Sequence, residues 1–230
     1  MNFNDFSPII QFLLEQQLSL DTITLLLLFP IVITIVVVLR QIIGIQAFGI
    51  YTPSIITIGF VFIAQHSFWD IKYAVTIYAI VLFVGMGMRY VLKKLRLLYL
   101  PRVAINLTIV TFSVLLTLAT AGYFGRTGFA SMSIFPIIII IMLVEKFVTV
   151  QIEKGNRTAI ILAIETLTIA LIGYTILSPT TEIGRYMISL VLVHPLTILF
   201  IIPINIFIGK WTGLRLNEYL RFHDVLNKIK

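Results

Sequence analysis

No cysteine occurs anywhere in the chain. Disulfides, thiolate catalysis, iron–sulfur clusters and cysteine-based zinc sites are therefore excluded. Charge is also scarce: Asp, Glu, Lys and Arg make up 12% of the 230 residues, where about a quarter is usual in a soluble domain. Acidic residues are the rarer sign, 10 against 17 cations. The motifs of soluble catalysis are missing too, with no GxSxG, P-loop, GxGxxG after a strand, HExxH or aspartate pair spaced for magnesium. Without a nucleophile–base pair the sequence gives no ground for an enzyme, and no cofactor or metal is expected.

Apolar residues fill the space instead: 59% of the chain is hydrophobic and the mean hydropathy is +1.05. One small core cannot hide that much apolar surface from water, so lipid is the expected solvent. The net charge of +7 fits cytoplasmic loops rich in Lys and Arg better than a nucleic-acid partner. Residues 1–21 carry Asp5, Glu15 and Asp21 and no cation, unlike the positive start of a secretory signal. Their segment 8–20 is short and amphipathic and reads as a helix lying at the membrane interface.

A spanning helix needs about 20 mostly apolar residues. Seven such runs are expected, at 22–39, 49–65, 71–92, 103–123, 129–148, 158–177 and 186–208. They form an all-α membrane domain over 22–209, followed by a basic tail, 210–230. The runs are too long and too evenly apolar for barrel strands. With the C-terminus inside, fourteen of the seventeen cations fall on the cytoplasmic side, leaving only Lys72, Arg126 and Arg185 outside. That bias in short loops predicts an outside N-terminus and a cytoplasmic C-terminus.

Two segments look alike. Phe48-Gly-Ile-Tyr-Thr-Pro53 opens the second span, and Ser131-Met-Ser-Ile-Phe-Pro136 opens the fifth. After each proline, Ile55, Ile56, Ile58 and Val61 match Ile138, Ile139, Ile141 and Val144. Repeats of about 22–100 and 101–178, three helices each, would run in opposite directions, the inverted plan of many transporters. The seventh span, 186–208, falls outside them. Proline frees a backbone carbonyl, and in lipid that is tolerated only against protein, a polar group or a water-filled cavity. Tyr51, Thr52, Pro53, Ser131, Ser133 and Pro136 are thus candidate lining of an interior polar site. A simple kink or close-packing point is the competing reading, and re-entrant loops stay open.

Glu165 lies eight residues into the sixth span, where an unpaired carboxylate costs a few kcal/mol. His194, followed by Pro195, is the nearest candidate partner in kind. Together they would relay protons or contact a polar substrate, or else fix packing through a hydrogen bond. Glu145, beside Lys146, marks the inner end of the fifth span, as a conduit residue or an interfacial ion pair. Asn106 and Asn205 read as interhelical glue. Lys93, Lys94, Arg96 and Arg102 make a basic amphipathic end suited to anionic lipid headgroups or an acidic cytoplasmic partner.

Several of these features also carry a resemblance. Phe48-Gly-Ile-Tyr-Thr-Pro53, Leu100-Pro-Arg-Val103, Phe135-Pro136, Glu145-Lys146 with Glu153-Lys-Gly155, and Gly209-Lys-Trp-Thr-Gly213 through Leu220-Arg-Phe222 stand in order along 39–222. Over that stretch the chain resembles the bacterial seven-transmembrane domain usually fused to an inactive transglutaminase-like domain. More distantly, its duplication is similar to the membrane subunit of poly-γ-glutamate capsule synthases. The resemblance implies a bacterial inner-membrane protein beside an ATP-grasp ligase of the glutamate-ligase type. Such systems would make or export an amino-acid polymer or modify an envelope peptide. It also implies an extracytoplasmic domain ahead of the spans, whereas 21 residues precede the first expected span here. Either that domain is a separate partner, or this member works without it.

Three functions compete. A non-enzymatic scaffold or conduit would dock the ligase on its basic inner face and pass an anionic product across. A free-standing secondary transporter would use Glu165 as its proton-coupling carboxylate. An intramembrane enzyme would use His194 as base, with no positioned nucleophile to support it.

Overall fold

The computed structural model describes residues 6–64, 67–95, 97–123 and 134–210, and all regular structure among them is helical. The helices are α1 (Pro8–Glu15), α2 (Leu20–Val38), α3 (Tyr51–Ile63), α4 (Ile71–Lys93), α5 (Tyr99–Tyr123), α6 (Ile134–Lys154), α7 (Asn156–Leu177), α8 (Glu182–Val193) and α9 (Ile201–Gly209). A π turn, Leu39–Ile43, prolongs α2, and 3₁₀ segments Phe68–Asp70 and Pro195–Phe200 precede α4 and α9.

Among the described residues, four helical stretches are long and apolar enough to cross a bilayer: Leu20–Ile43, Phe68–Leu92, Tyr99–Tyr123 and Asn156–Leu177. A fifth is added if Glu182–Val193 and Pro195–Gly209 make one span, but the two are bent by 108°. The bend has a local cause. Pro195 offers no N–H and pushes the residue before it out of helical geometry, and His194 sits at φ −128°, ψ 71°. The expected single helix over 186–208 is therefore two helices and a 3₁₀ link. The expected second span, 49–65, yields the 13-residue α3, since Gly49 and Ile50 form a turn before it and Ala64 a turn after it. The fifth begins in residues outside those described, and α6 runs on past Glu145-Lys146 to Lys154.

The chain divides into two compact units, Met1–Ser54 with Glu165–Lys230, and Ile55–Ile164. In the first, Ser7 caps α1 by accepting the Ile10 N–H, and its own N–H donates to the Leu192 carbonyl at 3.3 Å. Phe6, Ile10, Ile23 and Leu192 bury one another there. Helix α2 is apolar on all faces, as suits a helix among lipid and protein. Thr34 bridges it to α9: its hydroxyl accepts from Asn205 Nδ2 at 2.8 Å and donates to the Pro30 carbonyl at 2.9 Å. Asn205 thus joins two helices, as its lone amide predicted.

In the second unit α4, α5 and α6 pack on one another. Asn106, buried on α5, points Nδ2 at the Gly85 carbonyl 3.4 Å away. Tyr78 is buried, edge-on to the Phe60 ring, and donates its hydroxyl to the Ala163 carbonyl at 2.8 Å. Tyr78→Phe keeps the ring and leaves that bond unmade. It is expected to cost about 1 kcal/mol in detergent unfolding, and an unchanged midpoint would contradict the bond. Outward faces are apolar: Phe83, Phe112, Leu115, Phe200 and Phe207 are each more than half exposed. Water would penalise that surface by about 25 cal/mol per Å²; hydrocarbon does not.

Candidate functional site

The polar centre of the first unit starts where α2 ends. At Leu39 the helix widens by one residue: the Gly44 N–H reaches back five residues to the Leu39 carbonyl at 3.1 Å, and the Ile45 N–H shares that oxygen at 3.3 Å. Gly44 then takes φ 91°, a left-handed conformation that side chains with a β-carbon disfavour. From here to Ile50 the backbone is irregular, so its amides need partners from elsewhere.

Helix α7 provides them. The Gln46 N–H donates to Glu165 Oε2 at 3.1 Å, and the Phe48 N–H donates to Thr166 Oγ1 at 3.2 Å. Two adjacent side chains of α7 thus serve two amides of the irregular segment. Thr166 is fully buried and Glu165 half-buried. A carboxylate accepting a backbone N–H makes a charge-assisted bond, stronger than a neutral one. The depth that makes Glu165 costly is thus offset by a fixed donor. His194 is not that donor: its side chain is exposed at the bend, and its carbonyl accepts from the Thr197 N–H and hydroxyl at 3.0 and 2.7 Å.

Beside this segment opens a cleft of about 240 Å³. Its lining combines the polar side chains of Arg40, Gln41 and Gln46 with the apolar ones of Val37, Ile45 and Ile50. Arg40, on the π turn, is half-buried.

Pro53 and Pro136 are each the third residue of their helix, α3 and α6. In a first turn the missing N–H has no intrahelical partner to lose. Both prolines therefore start helices rather than break them, and the irregular backbone lies before Pro53, at 44–50. Tyr51 is 69% exposed, Thr52 half-buried and Pro53 buried, while Ser54 donates to the Ile50 carbonyl at 2.9 Å. In the other unit, buried Pro136 lies against α3, its Cβ 3.6 Å from where a β-carbon on Gly59 would sit. Ser131, Ser133 and Arg96 lie outside the described residues. Glu145 is half-buried beside exposed Lys146, and its carbonyl accepts the Thr149 hydroxyl at 2.8 Å. Lys93 ends α4, Lys94 is exposed, and Arg102 folds back to donate to the Leu97 carbonyl at 2.9 Å.

Sequence reasoning singled out Glu165 but passed over the groups around it. Arg40 counted only as one of the cytoplasmic cations, and Gln46 did not enter at all. A signal was present: Arg40, Gln41, Gly44 and Gln46 crowd polar and flexible residues into a stretch between two apolar runs.

All-helical structure, apolar outward faces and at least four helices able to cross a bilayer define a multi-pass membrane protein. More narrowly, the chain belongs to the family described as seven transmembrane helices usually fused to an inactive transglutaminase, whose model matches residues 1–226. No curated protein and no solved structure matches it.

Proposed function

We propose that the chain is a non-catalytic membrane subunit, a scaffold or conduit for an anionic product assembled from amino acids. A cytoplasmic ATP-grasp ligase of the glutamate-ligase type would make that product and dock on the basic inner ends of the helices, where Lys94 and Arg102 lie. A transglutaminase-like protein would act with it outside. Seven spans in a bacterial inner membrane, an inverted 3+3 repeat, an outside N-terminus and a cytoplasmic C-terminus belong to the same reading. The observation that carries it is the irregular backbone at 44–50, held by Glu165 and Thr166. Non-helical backbone at membrane depth survives only against protein or beside a watery cavity, and in transporters such breaks mark the substrate path. Membership of a family fused to an inactive enzyme supports a non-catalytic role.

Tagged protein purified from gentle detergent is expected to bring an ATP-grasp ligase with it, and a deletion strain is expected to lose the surface polymer or peptide. Isolation without a ligase, together with intact product in the deletion strain, would end the proposal. Cysteines introduced at positions 94 and 215 should resist an impermeant thiol reagent on whole cells, and one at 126 should react. The reverse pattern would overturn the orientation.

The half-buried carboxylate of Glu165 beside the break favours one alternative, a secondary transporter coupled to protons. The Glu165 variants considered in the Discussion separate the two.

A further inference from the structure

The Arg40 cleft has a chemistry of its own. Arg40 is a half-buried cation on a π turn, and among the described residues no carboxylate pairs with it. Glu165, whose carboxylate accepts the Gln46 N–H, is not among the residues that line the cleft. A guanidinium cannot shed its charge, so burial without a partner leaves a fixed demand for an anion.

We propose that this cleft binds one small oxyanion, a carboxylate or a phosphate group, on the guanidinium of Arg40. The planar fork of arginine matches both anions with two parallel N–H bonds. The side-chain amides of Gln41 and Gln46, which line the same cleft, add donors able to complete the shell. The apolar wall of Val37, Ile45 and Ile50 lowers the local dielectric and so strengthens the attraction. Size limits the occupant. At about 240 Å³ the cleft is smaller than the roughly 300–1,000 Å³ of sites for drug-sized molecules, so it takes an anionic headgroup or a single amino-acid unit. The π turn fits this use, since such widened turns occur frequently at functional sites, and here it brings Arg40, Gln41 and Gln46 to one opening. The site stands on this local geometry and needs no ligase partner.

The anion has two sources, a lipid headgroup or a soluble ion, and one experiment with two arms tells them apart. In the first, the purified full chain in phosphatidylcholine nanodiscs is heated with sodium glutamate, inorganic phosphate, or chloride at equal ionic strength. In the second, protein from membranes containing phosphatidylglycerol is examined by native mass spectrometry for retained lipid. A saturable stabilisation by glutamate or phosphate over chloride identifies a soluble ligand. Retention of one phosphatidylglycerol identifies a headgroup. In either case Arg40→Gln is expected to weaken binding at least tenfold. Arg40→Lys should weaken it less, keeping the charge and losing the fork. Gln46→Ala removes only an exposed side chain, leaves its backbone bond to Glu165 in place, and should weaken binding several-fold even if Arg40→Gln fails to fold. Equal stabilisation by all salts with no preferred lipid overturns the site. So does binding unchanged in both Arg40→Gln and Gln46→Ala.

Discussion

Gly184→Ala is expected to destabilise the protein by about 3 kcal/mol, the upper end of overpacking effects. A β-carbon at this position would lie 1.9 Å from the Ser178 carbonyl oxygen and 2.7 Å from its carbon. The obstacle is main chain, so no rotamer change relieves it. Nor is the turn free to move away. The Ser178 carbonyl accepts from the Thr181 N–H at 3.1 Å and the Thr181 hydroxyl at 2.9 Å, and that hydroxyl accepts the Gly184 N–H at 3.1 Å. These bonds clamp the connection between α7 and α8 onto the glycine. Thermal unfolding in detergent should show a clear drop, whereas Ile183→Ala, on an exposed neighbour, should shift the midpoint little. A Gly184→Ala protein as stable as the parent would contradict this close approach of main chain to the glycine.

Glu165 should divide by substitution. Glu165→Leu leaves the exposed Gln46 N–H without its acceptor, and a hydrogen bond to a charged group contributes about 1.5–3 kcal/mol. A loss of about 2 kcal/mol is expected, with faster protease cleavage between Gly44 and Ile50. Glu165→Gln keeps an oxygen at the same place and should lose less than half as much. The pair also separates the two functional readings. If the carboxylate couples substrate movement to protons, Glu165→Gln abolishes uptake into proteoliposomes while stability stays near normal. If the carboxylate only anchors backbone, the Gln variant works and the Leu variant fails through misfolding. A Leu variant as stable as the Gln variant would sink the anchoring role.

Much of the helical framework was readable because lipid imposes a simple rule: long apolar runs become helices. The stretches near 22–39, 71–92, 103–123 and 158–177 appear as Leu20–Ile43, Phe68–Leu92, Tyr99–Tyr123 and Asn156–Leu177. Their ends were harder, since composition says little about caps: Ser19 and Thr181 start α2 and α8 by accepting the N–H groups of Thr22 and Gly184. The seventh run looked continuous because Pro195 and Pro203 sit among strongly apolar neighbours, and hydropathy does not register a missing N–H. The role of the prolines was legible only in part. Proline disfavours a helix interior yet suits a first turn, and deciding between them requires knowing where the helix begins. Glu165 stood out as a misplaced charge. Its partner did not, because a main-chain amide leaves no trace in the order of side chains, and Gln46 lies 119 residues away in the chain.

A π turn is an α-helix with one residue too many, so deleting a single position within 39–43 would restore ordinary winding there. Each residue advances a helix by about 100°, and everything downstream would swing round the axis by that angle. The part of α2 that meets α8 and α9 would keep its packing, while Gln46 and Phe48 would turn away from Glu165 and Thr166. Loss of one codon would thus take the 44–50 segment off its anchors on α7 and close the opening at Arg40, while the helix before it stays in place.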